Sequence, residues 1–223
     1  MRFSILGFSF YSMVINWYGQ SCFKIITNTL TIVTDPFAKN IGLRPPAFAA
    51  DIVCVSHQHE DHNNISAIGG EPFVVDGPGE YEIKGISILG VESFHDQKQG
   101  QERGLNTIYL IESEEIRLCH LGDFGQEKLS DEQLEALGGV DILFVPVGGK
   151  TTIDASTAAA LVNQLEPKLV VPMHYKLPDL KVELDSADKF LKELGAPSKE
   201  LVDKITVKKK LLPESTEVVM MKP

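Results

Sequence analysis

The chain has 223 residues, 43% of them hydrophobic and 23% charged, a balance that excludes a disordered or fibrous polymer and places it among ordinary globular domains. Lys and Arg number 21 against 31 Asp and Glu, a formal net charge of -10 whose average field argues against nucleic acid as a partner. Cys22, Cys54 and Cys119 are odd in number, far apart and without a Cys-x-x-Cys pair, which argues against a disulfide framework and for a reducing, cytoplasmic compartment.

From the N-terminus, Phe3 to Tyr18 is apolar and aromatic but broken by Ser4, Ser9, Ser12 and Asn16 and lacks a small-x-small cleavage site, so neither an export signal nor a membrane span is expected. A first strand is predicted over Met13–Tyr18, which leaves residues 1–12 as an extension ahead of one domain spanning 13–223. Strands follow at Cys22–Thr27 and Leu30–Asp35, with Thr27-Asn28-Thr29 as a turn and Pro36 as a stop. Asp51–Val55 is a continuous apolar run of the kind found in strands buried on both faces. Phe73–Asp76, Tyr81–Ile83 and Ile86–Val91 read as further strands, and Asn106–Glu112 with Ile116–His120 as a hairpin across Ser113-Glu114-Glu115.

Beyond that point the elements alternate. Ser130-Asp131-Glu132-Gln133 is a capping box opening a helix that Gly138-Gly139 ends. Asp141–Val145 is a buried strand closed by Pro146, and Asp154 caps a helix with Ala158, Leu161, Val162 and Leu165 on one face. Lys168–Val171 returns as a strand ending before Pro172, and a last helix runs from about Ser186 to Leu194. Strands first and alternating elements later predict an α/β sandwich, sheets inside and helices outside.

Chemistry concentrates in His57-Gln58-His59-Glu60-Asp61-His62, directly after the Asp51–Val55 strand: three of the six histidines and two carboxylates in six residues. Imidazole and carboxylate are donors suited to borderline divalent cations. A helical site needs histidines at i and i+4, whereas His57 and His59 are two apart and Asp61 and His62 adjacent, so the backbone must turn through the cluster. Four ligands filling one tetrahedral ion would leave no open position, which favours two neighbouring cations and about six or seven ligands in all. The missing donors are expected at other strand ends, where side chains of α/β sheets converge: His95, Asp123 and His174. His120 shares strand parity with Ile116 and Leu118 and reads as a packed histidine supporting the ligands.

These residues give the chain a resemblance to the metallo-β-lactamase superfamily, and within it to the small single-domain branch of ascorbate-phosphate lactonase-like hydrolases. Residues 57 to 62 match the signature His-x-His-x-Asp-His in full. The resemblance implies a four-layer αβ/βα sandwich in which His57, His59 and His95 hold one metal, Asp61, His62 and His174 the other, and Asp123 bridges both. It also implies that Asp35, in Thr34-Asp35-Pro36, orients the cluster loop without binding metal. Gln20 departs from the pattern, standing where many relatives have His.

The expectation is therefore a hydrolase with two divalent cations, zinc or manganese first, with iron, nickel and cobalt also suited to such donors. A metal-bridging hydroxide would attack an ester, lactone, amide or phosphodiester of a small molecule, with Asp61 and Asp123 as catalytic carboxylates. Arg103, in the Gly-bounded stretch after His95, and Lys176, after His174, are candidate substrate contacts, as is Tyr175. A nuclease of the same fold and a non-catalytic metal-binding regulatory protein are the alternatives, and a homo-oligomer is left open. Gly148-Gly149-Lys150-Thr151 imitates the tail of a phosphate-binding loop but has Phe144 where that motif needs glycine, and the cysteines in strand runs read as inert core thiols.

Overall fold

The computed structural model describes residues 12–196 and 200–223, so the expected N-terminal extension, Ser12 apart, lies outside the described residues. The first strands are β1 (Met13–Trp17), β2 (Phe23–Ile26), β3 (Thr31–Thr34), β4 (Ile52–Cys54), β5 (Phe73–Val75), β6 (Gly79–Ile83) and β7 (Ile86–Phe94). Then come β8 (Leu105–Ser113), β9 (Ile116–His120), α1 (Asp131–Leu137), β10 (Ile142–Pro146), α2 (Ala155–Leu165) and β11 (Leu169–Met173). The chain closes with α3 (Asp188–Glu193), β12 (Ile205–Val207) and β13 (Glu217–Val218). Two sheets result, ordered β12-β1-β2-β3-β4-β5 and β13-β11-β10-β9-β8-β7-β6.

Side-chain alternation explains how the apolar runs are used. Ile52 and Cys54 join the main core shared by both sheets, while Val53 and Val55 join a smaller cluster with Val33, Phe37, Ile41 and Ile68. The sheets meet through Phe23 of β2 and Phe144 of β10, stacked with ring centroids 3.8 Å apart. Tyr109 of β8 adds a cross-sheet tie, its hydroxyl donating to the carbonyls of Val55 (2.8 Å) and Val75 (3.1 Å).

The sandwich carries its helices unevenly. α1 packs against β7, α2 against β10, and α3 against α2. Beside the first sheet, the smaller cluster is closed by segments bearing 3-10 turns at Lys39–Ile41 and Ile65–Ala67 instead of α-helices. Pro36, Gly42, Pro45 and Pro46 break any longer helix in the first of these segments.

Other boundaries also move. β11 continues through Pro172, where the sequence predicts a stop. Val170 accepts from Val219 on the β13 side and Met173 from Val147 on the β10 side, so Pro172 directs its missing donor past the end of β13. β12 and β13 were not anticipated: each is three residues or fewer, and register with β1 and β11, not local pattern, makes them strands. The Ser113–Ile116 hairpin forms as expected, with Glu114 (φ 58°) and Glu115 (φ 65°) supplying the two left-handed turn residues.

Candidate metal centre

β3 and β4 run parallel, as do β9, β10 and β11, and β7 runs the same way as β9 because β8 is antiparallel to both. The segments leaving these strands carry Asp35 (after β3), the hexapeptide (after β4), His95 (after β7), Asp123 (after β9) and His174 (after β11). They converge. Donor atoms lying within 4.8 Å of one another form three overlapping groups: His57, His59 and His95; His57, His62 and Asp123; Asp61, His62 and His174. Asp123 faces both sides, with Oδ1 3.4 Å from His62 Nε2 and Oδ2 3.3 Å from His95 Nε2 and 3.2 Å from His174 Nε2.

Behind these atoms stands Asp35, fully buried. It accepts from the Ser56 amide (2.7 Å), the Ser56 hydroxyl (2.8 Å) and His120 Nε2 (2.8 Å), and lies 3.3 Å from His62 Nδ1. That network sets tautomers. The Ser56 hydroxyl spends its one proton on Asp35, so at 3.0 Å from His57 Nδ1 it can only accept, and His57 Nε2 keeps a lone pair. His120 is buried, as its parity predicts, meets Asp35 and belongs to none of the three donor groups.

Asp123 is held by residues that sequence reasoning missed. Asn106 Oδ1 accepts from the Asp123 amide (2.9 Å), while its Nδ2 donates to the Leu121 carbonyl (2.9 Å) and Ser93 Oγ (2.7 Å). Gly122 (φ 57°) makes the approach possible, since a Cβ there would lie 2.4 Å from Asn106 Oδ1 and 2.5 Å from Ser56 Cβ. The available signal was a polar Asn at the head of an apolar strand and a Ser between the β4 run and the first histidine.

Three polar residues of the centre, Gln20 (φ 49°), Asp35 (φ 41°) and His174 (φ 50°), adopt left-handed backbone, a strain that clusters at functional sites. Gln20 Nε2 donates to Asp61 Oδ2 at 3.3 Å and lies 3.4 Å from His174 Nε2, so Gln20 touches the centre.

Electrostatics separate the histidines by role. Burial, with His62 adding to it, pushes His57 down to about 3, and burial also lowers His59 and His174, leaving neutral rings with lone pairs to offer. His62 is also buried, yet Asp123, Asp35 and Asp61 drive it well above the usual histidine range: a positive charge belongs at this place. Burial opposes charge on Asp123 and Asp61 as well, but the surrounding imidazoles hold both carboxyls below their ordinary range, and both are anions at neutral pH. The donor set fits divalent cations. His57 Nε2 is shielded from solvent without a hydrogen-bond partner, and a buried lone pair left so is costly unless a cation engages it.

The substrate candidates separate. Arg103 lines a cavity of about 260 Å³ that also has His95 in its wall. Lys176 is exposed and does not line that cavity. Tyr175 is corrected: it is buried and packs on Trp17 at 5.1 Å between ring centroids, because its apolar ring fits the core there. A larger cavity of about 470 Å³, walled by Tyr18, Leu43, Phe48 and neighbours, contains none of the seven clustered side chains.

Comparison with known proteins agrees with this geometry. Residues 14–174 match the family described as Beta-lactamase superfamily domain. A UPF0173 protein of Pyrococcus furiosus is 31% identical over 191 residues, covering 73% of this chain and 83% of the relative. A UPF0173 metal-dependent hydrolase of Lysinibacillus sphaericus is 30% identical over 199 residues, covering 73% and 85%. Among solved structures, a Thermotoga maritima protein described as a Zn-dependent hydrolase of the metallo-beta-lactamase superfamily is 38% identical with a TM-score of 0.77, covering 94% of this chain and 98% of that one. An isothiocyanate hydrolase from Delia radicum gut bacteria shares the fold at 13% identity and a TM-score of 0.65. With two sheets, a convergent His/Asp cluster and these relatives, the chain belongs to the beta-lactamase superfamily as one of its metal-dependent hydrolases.

Proposed function

We propose that the protein hydrolyses an ester, lactone, amide or phosphodiester bond of a small molecule, using two divalent cations, zinc or manganese. His57, His59 and His95 would hold one, Asp61, His62 and His174 the other, and Asp123 would face both with its two oxygens. The observation that carries the reading is the lone pair of His57 Nε2, fixed by the Ser56–Asp35 relay and buried where two of the donor groups overlap. When bound, the cations supply Lewis acidity and lower the pKa of water at the site to about 7.

The protein's own residues do the rest. Asp61 is ionised, only partly buried and tethered by Gln20, so it can take the proton of the attacking water and return it to the leaving group. Asp35 and His120 keep the His62 ring oriented, and Asn106 keeps Asp123 fixed between the two groups. Turnover of a panel of lactones, carboxylic esters and phosphodiesters should vanish after chelation and return with zinc or manganese. Undiminished turnover in protein shown by elemental analysis to be cation-free would refute the proposal.

A further inference from the structure

The cavity beside His95 has a chemistry of its own. Its walls come mainly from the loops after β7 and β10, with Gly125 from the segment after β9, and they bring Arg103 and Lys150 to the same opening. Among the described residues neither side chain has a carboxylate within ion-pair distance, although the chain as a whole carries a formal charge of -10. The acids nearby are already committed. Asp96 accepts from the amides of Lys98 (2.7 Å) and Gly100 (3.0 Å) through Oδ1 and of Glu102 (3.0 Å) and Arg103 (2.8 Å) through Oδ2, and those bonds keep its carboxyl below the usual range despite burial. Glu102 is paired with Lys98, and Asp185, the acid that feels Lys150, is bonded to Lys189 at 2.8 Å. The lining therefore sets Lys98, Arg103 and Lys150 against Asp96 and Glu102, a net positive charge next to a metal-type centre, with the Arg103 loop organised in advance by one carboxylate.

We propose that this cavity is an oxyanion subsite: Arg103 and Lys150 grip a carboxylate or phosphate group of the substrate while its scissile bond lies over the clustered donors. Arg103 can offer a planar fork of donors and Lys150 a point charge, and Thr151 and Thr152 complete the wall on the Lys150 side. Gly149 (φ 61°) and Lys150 (φ 63°) are consecutive left-handed residues, so the loop that imitates a phosphate-binding motif in sequence is tightly turned where it meets the cavity. The assignment rests on the hydrolase reading only for the use made of the bound group, since the subsite itself is built from residues outside the seven donors.

The test uses the full chain, stripped of cations and freed of chelator, titrated calorimetrically with inorganic phosphate and, separately, with malonate. Saturable binding of at least one anion is expected, weakened about tenfold or more in Arg103→Gln and again in Lys150→Met, the loss of one charge-assisted hydrogen bond each. Both side chains are exposed, so the variants should fold. Phosphate binding alone would point to a phosphorylated substrate and malonate binding alone to a carboxylic one. No saturable binding of either, or binding unchanged in both variants, would overturn the subsite. A parallel zinc titration of the wild type reads the cation proposal independently.

Discussion

Asp35 is the residue on which the orientation of the centre depends most. Its two oxygens fix the Ser56 amide and hydroxyl, His120 and, through the longer 3.3 Å contact, His62, so one buried carboxylate decides which ring nitrogens His57 and His62 present to the cluster. Replacing it with Asn converts one acceptor oxygen into a donor facing groups that already donate. Asp35→Asn should therefore weaken zinc affinity about 10- to 100-fold, the usual cost of losing such a supporting partner, as read by calorimetric titration. Affinity within a factor of two of wild type would show that the relay does not orient the histidines. Much at this scale was legible: a His-rich hexapeptide is rare enough to point to its own chemistry. What could not be read was the strain, because the left-handed backbone of Gln20, Asp35 and His174 arises from long-range closure and leaves no mark in residue type.

At the scale of elements, α2 shows how local signals survive into the fold. Asp154 accepts from the Thr157 amide at 2.8 Å and the Ser156 hydroxyl at 2.9 Å, the cap that the sequence predicts, and α2 follows the loop that carries Lys150. Asp154→Ala should cost about 1 kcal/mol in denaturant unfolding. The hydrogen bond from the Thr157 amide is the main cause of a lowered Asp154 carboxyl, so the cap contributes fully above the unfolded value of about 4 and loses that contribution as pH falls through the lower folded value. The stability gap between wild type and Asp154→Ala should accordingly shrink below about pH 4, and a gap that widens on acidification would contradict the assignment. The capping box at Ser130, the cap at Asp154, the hairpin turn and the doubly buried β4 run were readable because each is decided within a few residues. The ends of β11, the two short strands β12 and β13, and the 3-10 covering of the first sheet were not, since neighbours far along the chain decide them.

For the whole molecule, the sandwich acts as a clamp that brings distant segments to one edge. His57 and His174 are 117 positions apart in sequence (174 less 57), yet both follow strands that end on the same side, and the Phe23–Phe144 stack and the Tyr109 tie fix the two sheets against each other. The convergence itself was inferable, because α/β sheets gather side chains beyond the carboxyl ends of their strands. The tie residues Ser56 and Asn106 were not, since a lone polar residue beside an apolar run reads equally well as a surface position. The central claim, that seven side chains form a seat for two cations, is most directly tested by anomalous diffraction from crystals of the full chain loaded with manganese or zinc. Two peaks are predicted, one among His57, His59 and His95 and one among Asp61, His62 and His174, with Asp123 beside both; density for the metal elsewhere and none at this cluster would contradict the account.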